Sequence, residues 1–237
     1  LQGIYSYNKS KGNRKLNKNI IAIDGPAGVG KGTLTRALAK HYDFAVLDTG
    51  SLYRAATFNL IEKGYDMENI DSAIALEETK KISDNHKILE YAKRDEIRLP
   101  LTTKYVYVVA DNPPLREVLK VYQTEFGLNP PGGKRGAIIE GRDIGTVIFP
   151  GAPVKIFLTA SSEVRARRRF YEYEAAGKPA NYDEILAEMV KRDARDTHRA
   201  VGGLIAADDA VIIDTSEMSI ERVIETACKL IDSRLKL

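Results

Sequence analysis

A glycine-rich loop, one lysine and several arginines are the residues of this sequence best placed to do chemistry. The chemistry they share is the handling of phosphate. The loop reads Gly25-Pro26-Ala27-Gly28-Val29-Gly30-Lys31-Gly32-Thr33. Glycines let backbone N–H groups close around phosphate oxygens where a side chain would block the approach. A helix opening near Gly32 aims its N-terminal dipole at the same anion. Lys31 adds a full charge. The hydroxyl that commonly follows such a lysine directly is moved one residue on, to Thr33, by Gly32.

The arginines fall into three groups. Asp48-Thr49-Gly50-Ser51-Leu52-Tyr53-Arg54 and Glu140-Gly141-Arg142-Asp143 each run from an acid through a glycine to an arginine. A guanidinium just past a strand end can bind a phosphate with its planar fork. Arg165, Arg167, Arg168 and Arg169 lie within five residues of one another. Their mutual repulsion is relieved if they close over an anion, as a lid that also excludes water. Ile185, Met189, Arg192, Asp196 and Arg199 follow spacings of four and three, so they share one helical stripe. The stripe begins apolar and turns charged, and charges that continue a buried face call for a charged ligand.

Five short apolar runs supply the strand ends. They are Ile20–Ile23 before Asp24, Ala45–Leu47 before Asp48, Ala137–Ile139 before Glu140, Val154–Leu158 before Thr159 and Ala210–Ile213 before Asp214. Continuous rather than alternating hydrophobicity marks strands covered on both faces of a parallel sheet. Helical patterns at 32–41, 51–62, 115–126, 162–176, 183–199 and 219–235 separate most of them, which predicts an α/β fold. Ligands gather at the carboxyl ends of strands in such folds, where the acids just named stand. Residues 63–112 lack a run of this kind and read as an insert, opening with a charged helical stretch, Asp71–Ile82. The breaker-rich segment 127–136 reads as a loop.

Composition bounds the rest. The chain has 237 residues, 43% hydrophobic and 29% charged, which excludes collagen-like, disordered and membrane classes. Its single cysteine excludes an internal disulfide and a cysteine zinc cluster, and fits a reducing, cytoplasmic setting. The net charge of +3 divides unevenly: Lys9, Lys11, Arg14, Lys15 and Lys18 make residues 1–19 a +5 segment on a −2 body. That segment reads as a flexible extension. The competing reading, a nucleic-acid-binding arm on a P-loop switch protein, predicts salt-sensitive binding and leaves the paired arginines without a task. No Asn-Lys-x-Asp guanine-reading motif follows the loop, which disfavours a GTPase.

The Lys31-Gly32-Thr33 variant is similar to that of nucleoside monophosphate kinases. Gly25–Thr33, Asp48–Arg54, the run Glu140–Leu158 and Arg192–Arg199 together resemble the bacterial-type cytidylate kinase family over roughly residues 19–232. The resemblance implies a P-loop kinase core with a five-stranded parallel sheet at 19–62 and 113–237. It implies a monophosphate-binding insert at 63–112, an arginine lid at about 163–178 and a basic tail at 1–18. The implied activity is transfer of the γ-phosphoryl of ATP to CMP or dCMP with Mg²⁺, by a monomer with no membrane or nucleic-acid partner.

By the same resemblance, Lys31 and the backbone of Gly25–Thr33 hold the ATP phosphates, with Arg165 and Arg168 closing over the transferred group. Thr49, Tyr53, Arg54, Arg142 and Arg199 belong to the acceptor side, Arg192 and Asp196 to the ribose, and Arg116 and Asp143 to cytosine. Asp24, Asp48 and Glu140 are the metal-ligand candidates, and no choice among them is made. No nucleophilic side chain is required, so His41, His86 and His198 read as structural or surface residues and Cys228 as packing. Tyr107 stands where relatives carry a cytosine-contacting serine. Acceptance of UMP as well as CMP is the alternative it raises. Its run, Tyr105–Val109, has strand propensity, whereas the resemblance implies helix.

Overall fold

The computed structural model describes residues 19–84 and 87–235. The basic tail and His86 lie outside the described residues. Five strands, β1 (Ile20–Asp24), β2 (Ala45–Asp48), β3 (Ala137–Gly141), β4 (Val154–Thr159) and β5 (Val211–Asp214), form one sheet in the order β2-β3-β1-β4-β5. Every pairing is parallel. The central strands β1 and β3 are buried along their whole length, as continuous apolar runs require. β5 departs from that expectation. It pairs on one side only, and Ile212 is 62% exposed while Ile213 is buried.

Alternate residues of β1 feed two cores, because successive strand side chains point to opposite faces. Ile21 and Ile23 join Leu34 and Leu38 of α1 (Lys31–Tyr42) and Val223, Ala227 and Ile231 of α9 (Ile220–Leu235). Ile20 and Ala22 join Leu52 and Leu60 of α2 (Thr49–Glu62) and Leu115 and Leu119 of α6 (Pro113–Leu128). α6 runs further than the breaker-rich sequence suggested. Gly127 lies within this helix, and Phe149 and Ile139 occupy the space a Cβ would need there.

Between α2 and α6 lie α3 (Ser72–Asp84), α4 (Lys87–Tyr91), a 3₁₀ turn at Asp95–Arg98 and α5 (Pro100–Ala110). Ala75, Ile82, Ile88, Tyr105 and Val109 pack into the same cluster as Leu52 and Leu60, so this segment shares the body's core. Tyr105–Val109 is helical despite its β-branched residues. Pro100 supplies a favourable first turn, and Thr102, Tyr105 and Val109, spaced three and four apart, are all buried. Packing outweighs a propensity worth a few tenths of a kcal/mol per residue. The last pair, α7 (Ser162–Ala175) and α8 (Tyr182–Thr197), packs around Ala166, Ile185 and Met189. No described helix is long and apolar enough to cross a membrane.

Candidate active site

The glycine-rich loop joins β1 to α1 as expected. Gly30, at φ 97°, turns the chain into α1, which opens without a side-chain cap and without an acid in its first turn. Its leading N–H groups are therefore left to an external anion. Lys31 is buried, and its Nζ donates to the carbonyls of Gly25 (2.7 Å) and Pro26 (2.8 Å). Burial first, and then the charge of Arg142, pushes its pKa well below the usual lysine range. Thr33 stands exposed on the first turn.

Asp24, the last residue of β1, accepts from the backbone N–H groups of Ile144 (2.9 Å) and Gly145 (2.8 Å). It thereby anchors the turn that carries Arg142 and Asp143. Burial raises its carboxyl to about 6 against the lowering effect of those two bonds. Thr49 Oγ1 donates to the Glu140 carbonyl (2.8 Å), which ties the start of α2 to the end of β3.

Four arginines gather beyond these strand ends. Asp196 Oδ2 accepts from Arg142 Nε (3.0 Å) and lies 3.9 Å from Arg192 Nε, and its Oδ1 accepts from Arg199 Nη2 (2.7 Å). Burial alone would raise the Asp196 pKa, but the three guanidinium groups outweigh it and hold the carboxylate below its ordinary value. Loss of hydration and the neighbouring Arg142 push Arg192 down to about 10. Arg54 donates to Thr103 Oγ1 (2.7 Å) and the Ile97 carbonyl (3.3 Å), with burial as the chief cause of its lowered pKa. Asp196, with Asp111 on Arg199, offsets these four guanidinium groups only in part and leaves positive charge for an anion to neutralise.

Arg116 and Asp143 form a buried ion pair, with Arg116 Nη1 also donating to the Ala110 carbonyl (3.1 Å). The Arg116 guanidinium lies 5.4 Å from the buried Tyr53 ring. Gly202 (φ 69°) presses its backbone against the pair, and a Cβ there would be driven into Arg116 and Asp143. Despite its partner, Asp143 is raised above the usual carboxylate range by burial.

The arginines of α7 reach different partners. Arg165 is buried and donates to the carbonyls of Ala160 (3.0 Å) and Ala27 (3.1 Å) and to Asp193 (2.5 Å). The bond to Ala27 ties the start of α7 to the phosphate loop. Arg168 donates to the Thr215 carbonyl (2.6 Å) past the end of β5. Arg169 pairs with Glu172, and Arg167 is exposed. Repulsion is relieved because the four side chains diverge around the helix.

Sequence reasoning missed Asp193, Thr215 and Asp111. The first could have been found from the alternation Arg192-Asp193 and the second from its place after a strand run. Nothing local distinguishes Asp111, which accepts from Arg199 Nε (2.7 Å). Among the metal candidates, Asp24 is engaged by two N–H groups and Asp48 lies 3.9 Å from Arg98. Glu140 is buried beside Thr35 (3.3 Å) and feels the charge of Lys31, and burial raises its pKa.

A glycine-rich loop with a buried lysine lies beside a separate set of arginines beyond neighbouring strand ends, an arrangement with room for two anionic groups. P-loop nucleoside monophosphate kinases are the enzymes built this way. Likeness of sequence narrows the class: residues 21–233 match the cytidylate kinase family model, and the chain belongs to that family. It is 43% identical over 215 residues to the cytidylate kinase of Paramagnetospirillum magneticum, covering 91% of this chain and 98% of that one. It is 44% identical over 214 residues to the cytidylate kinase of Rhodospirillum rubrum, covering 90% and 96%. An uncharacterized protein from Eubacterium ventriosum shares the fold alone, with a TM-score of 0.50 at 15% identity over 91% of this chain and 99% of that one.

Proposed function

We propose that this chain transfers the γ-phosphoryl of ATP to CMP or dCMP, giving ADP and the nucleoside diphosphate. The observation that carries the reading is the group of Arg142, Arg192 and Arg199 organised by Asp196, near enough to Lys31 for Arg142 and Arg192 to lower its pKa. The loop backbone and Lys31 take the ATP phosphates, and Arg54, Arg142 and Arg199 take the acceptor phosphate. That phosphate is already anionic, so an oxygen of it attacks the γ-phosphorus in line without a general base. Positioning and charge neutralisation supply the catalysis. Arg168, now on Thr215, would turn to the transferring group as α7 closes.

Mg²⁺ is held in such sites by one or two carboxylates together with substrate phosphates and water. Glu140 fits, being buried beside the first turn of α1, and Thr33 offers a hydroxyl on that turn. When bound, the ion would neutralise charge on the phosphates. Residues 63–112 are read as the segment that closes over the monophosphate. The enzyme is read as a cytoplasmic monomer with no nucleic-acid partner.

Base choice rests on Arg116 and Asp143. A carboxylate can accept from the N4 amine of cytosine, whereas uracil presents an acceptor at that position. Steady-state kinetics with CMP, dCMP and UMP test the reading. CMP and dCMP should exceed UMP in kcat/KM by about 10-fold or more, the effect of one mispaired polar contact. Equal values for UMP would overturn the cytosine assignment.

A further inference from the structure

The inference drawn here rests on the reading of Arg199 as an acceptor-phosphate ligand and concerns what fixes that arginine. Tyr107 in the last turn of α5 and Asp111 at its C-cap lie one helical turn apart. Arg195 in the last turn of α8 and Arg199 just beyond its end have the same spacing. The two pairs meet in register. The Tyr107 ring centroid is 4.4 Å from the Arg195 guanidinium carbon, and Asp111 Oδ1 accepts from Arg199 Nε at 2.7 Å. Arg199 is nearly enclosed, with its side chain 6% exposed. Its other strong bond runs from Nη2 to Asp196, whose second oxygen holds Arg142. A continuous chain of charge-assisted bonds thus leads from the inserted helix α5 to the arginines of the acceptor site.

A planar guanidinium held at Nε by one carboxylate and at Nη2 by another has its plane fixed. One of those carboxylates belongs to α5, so any movement of the insert must turn Arg199 or break the bond. A tie whose only role was to hold α5 down would be met by the stacked Tyr107–Arg195 pair. The Asp111 bond engages a group of the acceptor site itself. We propose that Asp111 is a positioning residue for phosphoryl transfer: it sets the orientation of Arg199 and links the placement of the insert to the acceptor-phosphate site.

The test is a double-mutant cycle on the full chain with ATP and CMP, read beside thermal unfolding of each variant. Asp111→Ala should lower kcat about 10-fold while KM for ATP stays within about twofold, and Asp111→Glu should recover most of the loss. Asp111→Asn, which keeps an acceptor oxygen and loses the charge, should fall between. Added to Arg199→Ala, Asp111→Ala should have no further effect, since it acts through the missing side chain. Wild-type kcat in Asp111→Ala would overturn the proposal, as would losses that multiply in the double variant. Wild-type turnover in Arg199→Ala alone would instead remove the reading of Arg199 on which the proposal stands.

Discussion

Asp196 shows why single residues matter at this site. Burial would normally drive a carboxylate to take up a proton, yet Arg142, Arg192 and Arg199 keep it charged. It fixes those guanidinium groups while leaving their combined charge in excess. Arg142→Ala should therefore lower kcat by about 10²–10³, the loss expected for one preorganised contact to developing charge and equal to about 2.7–4 kcal/mol. Retained helical circular dichroism would show that the fold survives. Asp24 works in the opposite sense. Its native pKa of about 6 exceeds the ordinary 3.8, so between those values the folded chain binds more protons than the unfolded one. Stability gained from this group is present at low pH and is lost as pH rises through 6. Between pH 5 and 7 the change is about 1 kcal/mol at 1.36 kcal/mol per unit. Urea unfolding of wild type and Asp24→Asn at both values should show this difference disappear in the variant.

Elements decide where those residues stand, and the sequence showed most of the elements. The apolar runs before Asp24, Asp48 and Glu140 are the strands β1, β2 and β3, because burial on two faces leaves an unbroken signature. The stripe from Ile185 to Asp196 is the inward face of α8, again because its period is written locally. Local pattern failed where the deciding contact is distant. Tyr105–Val109 has strand propensity but is helical through packing against α2. Arg165 belongs to an arginine-rich run but is claimed by Asp193 and the Ala27 carbonyl. Asp111 meets Arg199 across 88 positions of chain. The turn after α8 makes a prediction at this scale. Gly202→Ala places a side chain at φ 69° against the Arg116–Asp143 pair. It should cost at least about 1–2 kcal/mol in thermal stability and raise KM for CMP several-fold more than KM for ATP. An unchanged KM for CMP would show that the turn can move aside freely.

At the scale of the molecule, the charge that first suggested nucleic acid is divided between a +5 segment outside the described residues and a body at −2. Within that body the positive charge is local: guanidinium groups gather beyond the carboxyl ends of one sheet. The sheet order places β1 between β3 and β4, so the strand that launches the phosphate loop is the central one and is buried along its whole length. Two cores clamp it from either side, and the insert adds its apolar residues to one of them.

β5 introduces an asymmetry in time. It has a single neighbour and an outward-facing Ile212, so it lacks a second row of backbone bonds and a second apolar cover. The amides of Val211–Asp214 should take up deuterium well before those of Ile20–Asp24, and equal protection of the two strands would contradict this. Just past β5 stands Thr215, which holds Arg168 of α7. Brief breathing of the β5 edge of the sheet would slacken the hold on that helix, while the phosphate loop stayed as still as the strand from which it springs.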